Sequence, residues 1–418
     1  MAIQGAARLS GARTLSKNRA FWLIAYTLFI LLVGATIPTP LYLLYQDLFS
    51  FSAGVLTVVF AVYMITALFS LIFIGPLSDR VGRRRVLLPA LGLTAMGSAV
   101  FLFAQDVGGL LAARVLQGLG VGAALGTAVA TLTELEPTGD HRRAARVGAT
   151  VAAMGLAIGP LASGAFAEYG PWPTVLVFVV HLGLLVPALL GVWAMPQTVK
   201  EATLGEASPP PQRLSVPQGI RRPFALAAVA AFGAFSVVAV YMSVGPSVTE
   251  ALLGVSSPMT AGAVVFALMG TSAVGQLGFR GWPIRRAVVV GPVLLAAGLS
   301  LIVTALFQES MPLFVVGTLV SGLGHGLAFL GSQQLVDWVA PESSRGAIFS
   351  AFYVFIYLGA ALPALGVGFG ADVVGFMAAV VTFAIVIGTL DLGVGIAGER
   401  ARLPGAACDP GRLQPRCL

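Results

Sequence analysis

Charge is scarce in this chain. Only 10% of its 418 residues are Asp, Glu, Lys or Arg, 57% are hydrophobic, and the mean hydropathy is +0.93. Soluble domains carry roughly 25% charge, so a water-soluble globule is excluded. Cysteine is confined to Cys408 and Cys417 in a polar tail, which leaves no disulfide framework and no cysteine-based metal site. Patterns for chemistry are missing too: there is no nucleotide-binding P-loop, no H-E-x-x-H pair and no G-x-S-x-G elbow. The polar segments are too short to hold an enzyme domain. The expectation is therefore a non-enzyme with no cofactor and no metal. A short apolar region ending in a small-residue cleavage site is also lacking at the N-terminus, so no cleaved signal peptide is expected.

What the chain has is long apolar runs. Crossing a ~30 Å hydrocarbon core takes about 20 residues in a helix. Twelve such runs are read at 20–45, 53–75, 86–104, 108–133, 147–167, 173–195, 223–248, 259–279, 287–307, 312–336, 347–370 and 373–397. Twenty-three of the 24 basic residues lie before span 1 or after an even-numbered span. The other loops carry acids instead, Asp47, Asp106, Glu168, Glu250, Glu309 and Asp372 among them. By the positive-inside rule, both termini are expected in the cytoplasm. The net charge of +7 is then a topology signal, and nucleic acid is not an expected partner. The exception, Arg114, lies inside span 4.

The spans fall into two similar sets. The longest polar connection, 196–222, holds "SPPPQ" and reads as a cytoplasmic linker between two six-span bundles, 1–195 and 223–397, with a cytoplasmic tail at 398–418. Offset by about 204 residues, "GLGVGAALG" (118–126) matches "GLGHGLAFLG" (322–331), and "AGVLTVVFA" (53–61) matches "AGAVVFA" (261–267). Each half has an even number of spans, so the halves are parallel repeats, and a site between them can open to either face by rocking.

The loop after span 2 reads "GPLSDRVGRRR". It resembles the signature of the major facilitator superfamily, G-x-L-x-D-R-x-G-R-R, with Gly75, Leu77, Asp79, Arg80, Gly82, Arg83 and Arg84 filling every position. The resemblance implies an all-α membrane fold of twelve helices in two six-helix bundles, working as a monomer in a lipid bilayer on a small-molecule substrate. It also implies a conformational latch in which Asp79 meets the start of span 11, near Arg345 to Ile348. Arg83 would meet an acid at the inner end of span 4, either Glu134 or Glu136. The bland alternative is a basic turn that only sets topology.

Further stretches resemble the superfamily's twelve-span drug:proton antiporters. "RVLQGLGVGAA" (114–124) puts Arg114 and Gln117 on one helix face. A guanidinium in hydrocarbon must face a cavity or a partner, and the resemblance assigns Arg114 and Gln117 to substrate or proton coupling. A structural arginine bonded to carbonyls of a neighbouring helix is the other reading. "GLAIGPLASG" (155–164) resembles the exporters' pattern, and Gly155, Gly159, Pro160, Ser163 and Gly164 make it a small-residue ridge for close packing. "GATIPTPLY" (34–42) contributes Pro38, Pro40 and Tyr42. Span 1 departs from the pattern because it carries no acid. His325, near the middle of span 10, is the titratable candidate for proton exchange, with Tyr241 beside the expected cavity. The function expected is export of drug-like or amphipathic molecules by proton antiport, in a bacterial inner membrane and conferring antibiotic resistance. Proton-coupled movement of a sugar or other polar metabolite is the alternative.

Overall fold

The computed structural model describes residues 15–196, 216–254, 256–401 and 403. Cys408, Cys417, most of the 196–222 linker and most of the 398–418 tail lie outside them. Among the described residues there is no strand. That follows from the solvent, because a chain in hydrocarbon must satisfy its backbone internally. Among the described residues, twelve helices or broken helices are long and apolar enough to cross a membrane. In chain order the helices are α1 (Lys17–Thr36), α2 (Tyr42–Phe49), α3 (Ala53–Phe73), α4 (Ser78–Val81), α5 (Arg83–Leu102), α6 (Val107–Leu135), α7 (His141–Tyr169) and α8 (Leu176–Ala194). The second set is α9 (Arg221–Ser243), α10 (Gly245–Leu253), α11 (Pro258–Gly278), α12 (Ile284–Phe307), α13 (Met311–Val339), α14 (Arg345–Val374) and α15 (Phe376–Arg400). Arg221 and Arg222 therefore open a helix, and the stretch read as linker ends two residues early. The last span likewise runs three residues into the stretch read as tail.

Two spans read as continuous are broken. Span 1 stops at Thr36, makes a 3-10 turn over Thr39–Leu41 and resumes as α2. Pro38 and Pro40 have no N–H to give the carbonyls four residues before them, at Gly34 and Thr36. Other helices supply donors to this stretch. Gln117 Nε2 reaches the Gly34 carbonyl at 3.5 Å, Arg114 Nη1 the Ala35 carbonyl at 3.0 Å, and Ser163 Oγ the Ile37 carbonyl at 2.7 Å. Span 7 breaks in the corresponding place, between Ser243 and Gly245, with Pro246 in the first turn of α10.

The two bundles pack across two seams, α7 on α11 and α3 on α14. Small residues let these backbones close. A Cβ built on Gly164 would lie 2.3 Å from the Pro258 carbonyl oxygen, and one on Gly262 would lie 2.3 Å from that of Pro160. Within the first bundle, Gly155 and Gly159 face α1, where a Cβ would stand 2.7 Å from the carbonyl oxygens of Phe29 and Val33 respectively. Pro160 sits inside α7 without ending it.

The apolar cores show how the bundles meet. One buried cluster spans both, joining Tyr42, Tyr45 and Phe60 to Val237, Tyr241, Val265 and Phe314. Those residues occupy the half of the protein away from the basic loops. Toward the basic face the clusters separate. Phe21, Leu91, Leu132 and Val192 belong to the first bundle alone, and Phe224, Leu335, Ile348 and Phe352 to the second alone. The bundles are fused at one face and independent at the other.

The packing makes a prediction. Gly159→Leu must displace the α1 backbone and is expected to cost about 1–3 kcal/mol, read as a lower denaturation midpoint of the purified protein. Gly183→Leu is the control, because nothing lies within 4 Å of a Cβ there. Equal midpoints for the two variants would show that the α7 ridge is not a tight contact.

Candidate functional site

At the basic face, the α3–α5 connection is built around Arg83. Gly75, Pro76 and Leu77 form a 3-10 turn, the four-residue α4 follows, and Gly82 reverses the chain at φ +96°. That is a conformation for which glycine is the default residue. Gly75 has open space around it. The Arg83 guanidinium is largely buried. Its Nη1 donates to Ser78 Oγ at 2.7 Å and pairs with Asp79, while Nε and Nη2 reach Glu134 Oε1 at 3.2 and 2.7 Å. These charge-assisted bonds fasten the loop to the end of α6. Arg84 stacks over the Trp193 ring at 5.6 Å, and Arg80 lies in α4.

Of the two acids open to Arg83, Glu134 is the one it meets. Glu136 serves its own loop, accepting from the Thr138 and Asp140 amides at 2.8 and 2.7 Å and from Arg143 Nη1 at 2.7 Å. Burial works against the charge on Glu136, but the hydrogen bonds from Asp140, Thr138 and Arg143 outweigh it and hold its pKa at about 2.

The expected docking of Asp79 on the start of α14 is not made. Asp79 is turned onto Arg83, and Arg345 pairs with Asp337 on its own bundle. The separate cores at this face account for the difference, because the two bundles do not pack together there.

Deeper in, Arg114 is fully buried in α6. Besides the Ala35 carbonyl, Nη1 meets Gln117 Oε1 at 3.2 Å and Nη2 binds the Tyr42 hydroxyl. The Tyr42 and Tyr63 rings cover the guanidinium at 5.6 and 5.1 Å, and Nε has no partner. Arginine does not deprotonate in proteins, so this is a fixed charge that braces the broken span 1. Thr318, 204 positions later on α13, makes the parallel contact, its Oγ1 lying 2.9 Å from the Tyr241 hydroxyl. Each bundle thus ties its first span to its fourth through a buried tyrosine.

His325 sits apart from Arg114, within the second bundle. Its Nδ1 lies 2.7 Å from Ser272 Oγ, which also accepts from Gln276 Nε2 at 3.1 Å. Phe235 and Phe329 flank the ring, with centroids 5.2 and 6.2 Å away, and Nε2 has no partner. Sequence reasoning missed Tyr63, whose signal was a tyrosine in an otherwise apolar span. Two further ionisable groups are buried in the spans. His181 is partnered, with Ser98 Oγ at 2.9 Å and the Ile30 carbonyl at 3.2 Å. Asp391 is fully buried, faces Gly233 of α9 and has no partner for either oxygen.

The sequence profile described as Major Facilitator Superfamily matches residues 22–364. The multidrug transporter MdfA of Yersinia pestis is 31% identical over 137 residues, 32% of this chain and 33% of that protein. The riboflavin transporter RibZ of Clostridioides difficile is 23% identical over 33% of this chain and 30% of its own length. The chain thus spans about a third of the length of these curated relatives. In fold, the chain is similar to a bacterial homologue of the human lysosomal transporter Spinster, solved in an inward-facing and unoccupied conformation. The TM-score is 0.73 at 13% identity, covering 92% of this chain and 98% of that one.

The Glu136 loop has an acid limit. A carboxylate held at about 2 in the folded protein, against 4.5 unperturbed, gives its full stabilisation above pH 4.5 and loses it as pH falls toward 2. Amide protection factors at Thr138 and Asp140, taken against the intrinsic exchange rate at each pH, should be high at neutral pH and fall through that window. Glu136→Gln should remove the protection at neutral pH; unchanged exchange in the variant would show that the carboxylate does not close the loop.

Proposed function

Because the chain belongs to the major facilitator superfamily, we propose that it is a secondary active transporter that exports drug-like or amphipathic molecules by proton antiport. The observation that carries the reading is the asymmetry of the cores: one shared cluster at one face and two separate ones at the basic face. With the basic face taken as cytoplasmic, this is an inward-open member of an alternating-access pair in the cell membrane. Rocking the bundles would split the shared core and bring α14 toward the Asp79 loop, so the latch belongs to the other state.

The groups around the bundle interface favour an apolar cargo. Tyr42, Tyr241, Phe235 and Phe329 supply ring faces and edges, while both terminal nitrogens of Arg114 and the polar groups of Gln117 and Thr318 are occupied by protein partners. Arg114 acts as a positioning residue that holds the α1 break, and Gln117 supports it. His325, with Nε2 unpartnered between two phenylalanines, is the group assigned to exchange protons with cargo. Charging it beside a bound cation would weaken binding, which is mutual exclusion through differential affinity.

The test is substrate-dependent dissipation of a pH gradient in proteoliposomes, run with lipophilic cations, riboflavin and sugars. Lipophilic cations should collapse the gradient; dissipation by sugars alone would overturn the cargo class, and transport without proton movement would overturn antiport. Arg114→Ala strips donors from the α1 break and is expected to cut transport on the order of tenfold, matching a loss of about 1.4 kcal/mol. His325→Gln should still bind cargo but lose the pH dependence of binding. If that dependence persists in His325→Gln and vanishes in Asp391→Asn, the proton site moves to α15.

A further inference from the structure

The face opposite the basic loops carries two carboxylates, each bonded across the seam to the other bundle. Asp372, near the end of α14, accepts from Ser52 Oγ at 2.7 Å and from the Gly54 amide at 2.9 Å, at the start of α3. Glu168, near the end of α7, accepts from Ser257 Oγ at 2.7 Å and from the Met259 amide at 2.9 Å, at the start of α11. The acids are 204 positions apart, the serines 205 and the amides 205, so the two contacts are one device made twice and exchanged between the repeats.

The chemistry suits a fastener that must open again. The first amides of a helix have no partner within it and carry positive potential, so a carboxylate placed there is held by two hydrogen bonds and by the helix dipole. Both carboxylates remain exposed to solvent, where water can replace each bond as it breaks. Room for the first contact is made by Gly54, where a Cβ would lie 2.5 Å from Asp372 Oδ2.

The basic face is arranged in the opposite sense. The pairs Arg83 with Glu134, Arg143 with Glu136, Arg285 with Glu399 and Arg345 with Asp337 each stay within one bundle. Across the seam there, Arg280 is influenced by Arg146; burial first, and then that like charge, pull its pKa below the usual arginine value. Carboxylates join the bundles at one end, while the ion pairs at the other end stay within each bundle.

We propose that Asp372 and Glu168 are paired gate locks that hold the face opposite the basic loops closed, and that the protein must break both to expose its interface on that side. The proposal rests on the alternating-access reading but not on the cargo or on protons. Each lock contributes separately, so removing one should raise the population open at that face on the order of tenfold, and removing both should multiply the two effects.

The test uses pulsed electron-spin distances in lipid nanodiscs, with Cys408 and Cys417 replaced by serine. One label pair is placed at Phe103 and Phe307, exposed and 204 positions apart at the locked face. The other is placed at His141 and Glu342 at the basic face. Asp372→Asn with Glu168→Gln should lengthen the first distance and shorten the second. Ser52→Ala with Ser257→Ala, which keeps both carboxylates, should shift both distances the same way by less. Unchanged distances in a folded double variant would overturn the proposal. So would lengthening at the locked face without shortening at the basic face, because that marks loosened packing in place of a rocking equilibrium. No cargo or pH gradient enters the measurement, so failure of the locks would leave proton-coupled export standing, and failure of export would leave the distances as they are.

Discussion

Hydrocarbon offers no hydrogen bonds, and that constraint decides where this protein can bend. A helix interrupted in the membrane exposes carbonyls that must find donors nearby or not form at all. Pro38 and Pro40 create the interruption, and Gln117, Arg114 and Ser163 answer it from two different helices. Fixing the bend therefore fixes α6 and α7 against α1. The glycines of α7 bring its backbone close enough for Ser163 to reach, and Arg114 then has its charge covered by two tyrosine rings. The buried arginine, the proline pair and the small-residue ridge are parts of one solution.

That solution is concentrated where the bundles are fused. Beyond the break, α2 carries Tyr45 into a stack with Phe101, which in turn stacks on Phe178 at 4.6 Å, all within the shared core. Apolar packing between helices gains little over packing against lipid tails, so such an interface must draw on van der Waals fit and polar contacts. The fused face has both: backbones at glycine distance along α7 and α11, and carboxylates seated on the α3 and α11 starts. The basic face has bundle-internal ion pairs instead, which stiffen each half without joining it to the other.

Much of this was legible in the sequence. The lengths of apolar runs were enough to count twelve spans, because crossing the hydrocarbon core requires that length. The loop motif and the ridge from Gly155 to Gly164 were readable because their residue types are nearly forced, Gly82 by its positive φ and Gly159 by the α1 backbone. Other features lay beyond pattern. The break in span 1 was hidden by its unbroken hydropathy, although the prolines were in view. Whether Arg83 meets Glu134 or Glu136 turns on the Glu136 loop closing on itself, a contact over a few residues that leaves no periodic trace. Asp79 was matched by resemblance to the start of span 11, whereas here it pairs with Arg83, because the two bundles keep separate cores at that face.

The acids at the fused face show the same limit from another side. Asp372 and Glu168 were visible as acids in loops that lack arginine, which is a statement about topology alone. Their bonding becomes apparent only when the offset between the repeats is applied to both ends of each contact, placing an acid and a serine-capped helix start at equivalent points in opposite halves. Repetition in the sequence thus implies a pair wherever one member crosses the seam. By the same reasoning, a feature that crosses the seam in only one half has lost its symmetry mate. The Asp79 loop lacks a full copy in the second half, since its counterpart "GFRGWPIRR" (278–286) has Pro283 near where the acid would stand, and Asp79 itself pairs within its own bundle. Carboxylates seated on helix starts of the opposite bundle at one face, and ion pairs kept within each bundle at the other, leave the two faces fastened by different means, so substitutions at one face need not alter the contacts of the other.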